Sequence, residues 1–294
     1  MLPFSLVKPL ESALIKVSGK SARIEICESI GGGSINEACR LEWAGESYFV
    51  KWNSAGKFPQ MFEKEAAGLK ILKETACINV PEVLFVDKNE TDAFILLEYI
   101  QKSETNSGFW NIFGKQLADL HRNSSSLFGL ETDNFIGSLH QCNYQMTSWS
   151  DFFVQQRLQP LVKIARDNQR LDRSHMLQFE KMFVKMDRMF PVENPALLHG
   201  DLWSGNFLCN TSQNPVLIDP AVYFGHREMD IAMSKLFGGF DKQFYFAYHE
   251  HYPLEKGWEK RLDLCNLYPL LVHLNLFGSS YLHDIESVLK YFAG

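Results

Sequence analysis

Apolar residues at Leu6, Leu10, Leu14 and Val17 recur at helical spacing and predict a short amphipathic helix over residues 2–17. Three β-like runs follow, at 22–30, 35–43 and 47–52. The first two flank Gly31-Gly32-Gly33-Ser34, and Ala44-Gly45-Glu46 joins the last two as a hairpin. Phe62, Ala66, Leu69 and Leu72 then mark one side of a helix over 60–75, and Pro81 stops that region. Two more strands are predicted at 83–86 and 93–97, separated by a polar turn. The first part of the chain is therefore a small sheet carrying one crossing helix. From Gly108 the pattern changes to long helical periods, at 109–122, 150–166, 174–189, 227–237 and 262–277. Short strands near Leu197, Phe207 and Val216 interrupt them. The stretch 133–147 shows the least regular pattern. A polar linker divides the chain into an N-terminal part, 1–98, a hinge, 99–107, and a C-terminal part, 108–294.

Composition narrows the possibilities. The 294 residues suffice for one large domain or two lobes, and 46% hydrophobic content predicts an ordinary soluble core. A formal net charge of -6 argues against a general nucleic-acid binder, which needs basic residues to replace counterions on phosphates. No run is long and apolar enough for a membrane span, and Lys8, Glu11 and Lys16 break the one stretch resembling a signal peptide. The cytoplasm is the expected location, and a monomer the expected state. Cys27, Cys39, Cys77, Cys142, Cys209 and Cys265 show neither CxxC nor zinc-finger spacing. All six are expected to be reduced, mostly buried thiols, and Cys27 and Cys39 to be inert.

The candidate chemistry centres on L-H-G-D-L-W-S-G-N-F at 198–207 and L-I-D-P at 217–220. Asp201, Asn206 five positions on, and Asp219 after a short apolar strand supply the side chains that phosphoryl transfer uses in that order. Asp201 can accept a hydroxyl proton, and Asn206 and Asp219 can hold magnesium against ATP phosphates. His199 is read as a structural residue that hydrogen-bonds the loop. Gly31, Gly32, Gly33 and Ser34 could bring backbone N–H groups to a phosphate, or could form a flexible turn. They do not make a GxxxxGK[ST] loop. Lys51 stands among aromatic and β-branched residues in Y-F-V-K-W, where an unpaired ammonium would be costly. Glu65, four residues before Leu69, shares the inward side of its helix, whereas Glu63 does not. A Lys51–Glu65 pair is expected, either as a phosphate-binding device or as a structural ion pair. A metal-dependent hydrolase could also use two acids and an Asn, but would need neither the glycine run nor the strand lysine.

These residues resemble the fructosamine (ketosamine) kinase family, within the aminoglycoside-phosphotransferase and choline-kinase branch of the protein-kinase-like fold. The likeness rests on G-G-G-S-I-N-E at 31–37, H-G-D-L-W-S-G-N at 199–206, D-P-A-V-Y-F-G-H-R-E-M-D at 219–230 and F-G-G-F at 237–240. It implies an α+β, bilobal fold with a small antiparallel sheet lobe and a larger, mainly helical catalytic and substrate lobe. It also implies an ATP site between the lobes. Gly31 to Ser34 would cover the phosphates, with Lys51 on them and Glu65 holding Lys51. Glu98, Tyr99 and Ile100 would meet adenine through their backbone. Asp201 would be the base, and Asn206 and Asp219 the magnesium ligands. Pro220-Ala221 stands where a protein kinase has Phe-Gly, so no phosphorylation switch is expected. The implied substrate is a small-molecule or protein-bound ketosamine, phosphorylated at O3 to an unstable ester that releases its amine. Trp203 could stack on the sugar or pack beneath the loop. Trp149, Phe152 and Tyr223 are weaker pocket candidates, with core packing expected for at least two. Asp230 is expected to anchor the loop without touching substrate. The rival readings are an aminoglycoside- or choline-type kinase and a nucleotide-binding pseudokinase.

Overall fold

The computed structural model describes residues 2–31 and 35–294. Gly32, Gly33 and Ser34 of the glycine run lie outside the described residues. The chain forms two compact units, 1–109 with 207–220, and 110–206 with 221–294.

In the first unit, α1 (Phe4–Ser18) precedes β1 (Ile26–Ser29), β2 (Glu37–Trp43) and β3 (Glu46–Ser54). Then come α2 (Met61–Glu74), β4 (Val83–Lys88) and β5 (Asp92–Glu98). The five strands are antiparallel, in the order β1-β2-β3-β5-β4. Side chains alternate across each strand, so the sheet has two covered faces. Leu6, Leu10 and Leu14 of α1 cover one, against Trp43, Val50, Trp52 and Phe94. Phe62 and Leu69 of α2 cover the other, against Ile95 and Leu97. Lys51 lies between Val50 and Trp52 in sequence, so it points to the α2 face.

The first predicted strand is shorter than its apolar run, and all of β1 is exposed. The expectation of six reduced thiols is wrong for two of them: Cys27 and Cys39 form a disulfide between β1 and β2. The register sets Cys39 opposite Ser29 and Cys27 opposite Leu41, which brings the two Cα atoms to 5.8 Å. That lies inside the disulfide range.

In the second unit, α3 (Phe109–His121) leads to a hairpin of β6 (Asn134–Ile136) and β7 (Leu139–Gln141). The stretch 133–147, whose pattern is the least regular, thus holds a short hairpin that the pattern leaves unmarked, because two strands of three residues are too short to show alternation. The predicted helix over 150–166 is three pieces: α4 (Trp149–Phe152), a π-helical turn (Phe153–Leu158) and α5 (Gln159–Asp167). The π turn buries Arg157, with its guanidinium 4.0 Å from the centre of the Tyr223 ring. After α6 (Arg173–Lys185) comes β8 (Ala196–Leu198). Next, β9 (Phe207–Cys209) and β10 (Pro215–Leu217) form a hairpin that belongs to the first unit. β11 (Tyr223–Gly225) pairs with β8. The helices α7 (Glu228–Leu236), α8 (Lys242–His251), α9 (Trp258–Phe277) and α10 (Leu282–Phe292) complete the unit. The hydrophobic pattern did not predict β11, α8 or α10. Trp149, Phe152 and Tyr223 are all core residues.

His226, in the Y-F-G-H segment, is fully buried beside Phe190 and Trp149. Burial drives its pKa down to about 4, against the pull of the Glu193 charge. The folded-state value lies below the ordinary one of 6.5, so the unfolded chain takes up this proton first as pH falls. His226 therefore supports stability above pH 6.5 and withdraws that support between 6.5 and about 4. The loss is on the order of 3 kcal/mol. Thermal melts of the wild type and His226→Gln across that window test this. The variant melts lower at neutral pH but falls less steeply on acidification, and parallel slopes would refute the assignment.

Candidate active site

The first unit assembles a charge cluster around one buried ammonium. Lys51 is 4% exposed, and its Nζ lies 2.8 Å from both carboxylate oxygens of Glu65 and 2.9 Å from Asp219 Oδ1. Helix periodicity explains the choice of Glu65. It shares the inward face of α2 with Phe62 and Leu69, whereas Glu63 faces outward toward Lys88 at 3.7 Å. Burial alone would lower the Lys51 pKa, but the charges of Asp219 and Glu65 outweigh it and hold the ammonium above its ordinary value. The lysine is therefore a fixed cation.

Asp219 follows β10, where the Leu217 N–H donates to Asn79 O at 2.9 Å. Its φ of 54° is left-handed. Such a conformation costs on the order of 1–3 kcal/mol away from glycine, and Asp is among the side chains that tolerate it best. Glu98 ends β5, and Tyr99 and Ile100 follow it half-buried. The Arg40 guanidinium lies 5.1 Å from the centre of the Tyr99 ring. Beyond them, Gln213 ties the linker to the β9–β10 hairpin, donating to Ser103 Oγ at 3.0 Å and accepting from Asn106 N–H at 2.9 Å.

The second unit holds the 199–206 loop. One buried carboxylate fixes its entry: Asp230 Oδ2 accepts from His199 N–H at 2.8 Å, and Oδ1 from Gly200 N–H at 2.9 Å. Burial pushes the Asp230 pKa up, but the His121 hydrogen bond, the charges of His121 and His199, and the Gly200 N–H together lower it on balance. His121 Nε2 lies 3.2 Å from Asp230, and its Nδ1 lies 2.8 Å from the Tyr248 hydroxyl. Nothing in the sequence marks His121 and Tyr248 as support for this loop, because they come from α3 and α8, far apart in the chain.

Gly200 has φ +83°, and a Cβ there would lie 2.0 Å from Ala221 O. Only glycine meets both conditions. Next in the loop, His199 Nδ1 accepts from Asp201 N–H at 3.2 Å. Asn206 Nδ2 donates to Asp201 Oδ2 at 2.8 Å and to Asp201 O at 2.9 Å. Asn206 makes both bonds through nitrogen, so its Oδ1 is the atom it can turn toward a cation. Trp203 is half-buried, with its ring lying over Gly205, where a Cβ would come within 2.3 Å of the indole. Phe237 meets it edge-on at 6.3 Å.

The fructosamine kinase family model matches residues 7–293. The chain belongs to the fructosamine kinase family. A probable ketoamine kinase from Synechocystis is 38% identical, over 94% of this chain and 92% of its own length. The chloroplastic protein-ribulosamine 3-kinase of Arabidopsis thaliana is 39% identical, over 94% of this chain and 85% of its own. A solved structure from Thermobifida fusca, assigned as a fructosamine-3-kinase, superposes with a TM-score of 0.87 at 32% identity and covers 97% of this chain and 98% of its own. An aminoglycoside phosphotransferase in complex with AMP-PNP and hygromycin B superposes at 0.64 with 14% identity, covering 97% of this chain and 99% of its own. That likeness shows a shared α+β, protein-kinase-like fold. No described helix of this family member is long and apolar enough to cross a membrane.

Proposed function

We propose that this fructosamine kinase family protein transfers the γ-phosphoryl group of ATP to the O3 hydroxyl of ketosamines, fructosamine or ribulosamine adducts of amines or protein lysines. The unstable 3-phosphate then releases the amine, which makes the reaction a deglycation. The observation that carries the reading is the buried Lys51 ammonium, held at 2.8 Å by Glu65 and 2.9 Å by Asp219. A fixed cation beside an oxygen ligand suits a magnesium nucleotide.

The roles follow from each residue's chemistry. Lys51, positioned by Glu65, would take the phosphates, and the Gly31 to Ser34 run, most of which lies outside the described residues, would be their proposed cover. Glu98, Tyr99 and Ile100 present backbone groups to adenine. Asn206 Oδ1 and the Asp219 carboxylate are hard oxygen donors of the kind magnesium prefers, so the residues fit this ion. When bound, the ion neutralises charge on the phosphates. Asp201 accepts the proton of the attacking hydroxyl as its oxygen bonds to phosphorus and ADP departs.

Trp203 supplies an aromatic face for the sugar. Trp203→Ala should raise KM for the ketosamine about tenfold, the equivalent of about 1.4 kcal/mol of lost stacking. KM for ATP should change little. Equal effects on both substrates, or none, would return Trp203 to a packing role.

The decisive experiment is an ATP-consumption panel with fructosyl-lysine, ribulosyl-lysine, kanamycin and choline. Turnover of the two ketosamines alone supports the assignment, and turnover confined to kanamycin or choline would overturn it.

A further inference from the structure

A second group of chemically able side chains sits on the β6–β7 hairpin, among residues that the phosphoryl-transfer reading does not use. The register pairs Asn134 with Gln141, Phe135 with His140 and Ile136 with Leu139. Opposed residues share a face and neighbours alternate. Asn134, Ile136, Leu139 and Gln141 therefore form one face. This face is inward: Asn134 Nδ2 donates to Val222 O at 2.8 Å, and Gln141 Nε2 to Ala221 O at 3.1 Å. One step beyond the ladder, Asp133 and Cys142 join Phe135 and His140 on the outward face.

There His140 Nε2 lies 3.2 Å from Asp133 Oδ2, and Cys142 Sγ lies 3.6 Å from His140 Nδ1. One ligand atom from each of the three residues falls within 4.8 Å of the others. We propose that Asp133, His140 and Cys142 form a binding site for a zinc-class divalent cation, separate from the magnesium nucleotide.

Three arguments support it. Thiolate, imidazole and carboxylate together suit zinc, with a fourth position left for water. Tetrahedral zinc bonds of about 2.0–2.3 Å set ligand atoms roughly 3.5 Å apart. The 3.2 and 3.6 Å contacts run to different nitrogens of His140, so binding one ion needs a turn of the imidazole that brings a single nitrogen to both partners, within the 4.8 Å that the three ligand atoms already span. The cluster is also braced from beneath. The second Asp133 oxygen accepts from Asn143 N–H at 2.8 Å, and Arg157 donates to the Cys142 carbonyl. Arg157 also donates to Asn143 Oδ1 at 2.7 Å, and both residues are fully buried. Outer partners of this kind orient ligands before the metal arrives. A bound ion would tie the open end of the hairpin and stiffen the strands that hold Ala221 and Val222.

Cobalt(II) is the probe, added to the full-length, chelator-treated protein. The wild type should develop a thiolate-to-cobalt charge-transfer band and tetrahedral visible bands, which zinc then removes. Zinc should also raise its melting temperature. Cys142→Ser should lose the charge-transfer band, and His140→Gln should weaken cobalt binding by about tenfold or more. If Cys142→Ser fails to fold, the His140→Gln titration decides, and an unchanged affinity there overturns the site. No charge-transfer band in the wild type, or an equal band in a folded Cys142→Ser variant, also overturns it and leaves a surface ion pair beside a thiol. None of these readings depends on kinase turnover, so a failed substrate panel would leave this test intact.

Discussion

Asp201→Asn is expected to lower kcat about 10³-fold while leaving ATP affinity nearly unchanged. The substitution keeps size and shape but removes the atom that takes the proton. The loop should keep its course, because its entry is fixed by bonds that the Asp201 carboxylate does not make. Asp230 accepts from the N–H groups of His199 and Gly200, and His199 accepts from the residue 201 backbone. Asn206 also donates to the residue 201 carbonyl, which the change leaves in place. A loss of rate should thus appear without a loss of fold. Single-turnover assays with fructosyl-lysine, beside nucleotide titrations, separate the two effects. A variant within tenfold of the wild-type rate would show that another group takes the proton.

Lys51→Met should cut kcat/KM for ATP by about 10²- to 10³-fold, the usual effect of removing one preorganised electrostatic contact from a reacting centre. It should also destabilise the first unit. Glu65 is nearly as buried as Lys51, with side-chain exposures of 10% and 5%. Removing one partner of a buried pair costs about 3–5 kcal/mol, because the remaining charge is stranded. Asp219, with its side chain 44% exposed, can turn to water and contributes less of that cost. The double variant Lys51→Met/Glu65→Gln should recover much of the melting temperature and none of the activity. An unchanged KM for ATP in the single variant would reduce Lys51 to a structural residue.

The parts of the site that depend on short-range rules could be read from the sequence. Glu65 follows from helix spacing, and its contact with Lys51 is observed at 2.8 Å. The loop from His199 to Asn206 is contiguous, so its internal hydrogen bonds were also within reach. The features that stayed hidden depend on pairing between distant segments. Cys27 and Cys39 meet through a strand register that no periodicity encodes. Arg157 would be called a surface residue on charge alone, yet it is buried among Phe152, Tyr223 and Tyr268, which are scattered along the chain. The β6–β7 hairpin escaped notice because three-residue strands carry too little alternation. The helix α8 did so because its aromatic residues are spread around its surface, with Phe246 exposed and Phe244 buried.

Asp230 has a consequence beyond positioning. A single carboxylate joins the loop backbone to His121, and through His121 to the hydroxyl of Tyr248, so the chain of contacts runs from α7 to α3 to α8. The loop is therefore expected to melt with the helices that hold it rather than in a transition of its own. On heating, turnover should vanish together with the near-ultraviolet signature of the surrounding aromatic side chains, with no earlier phase of inactive but folded enzyme.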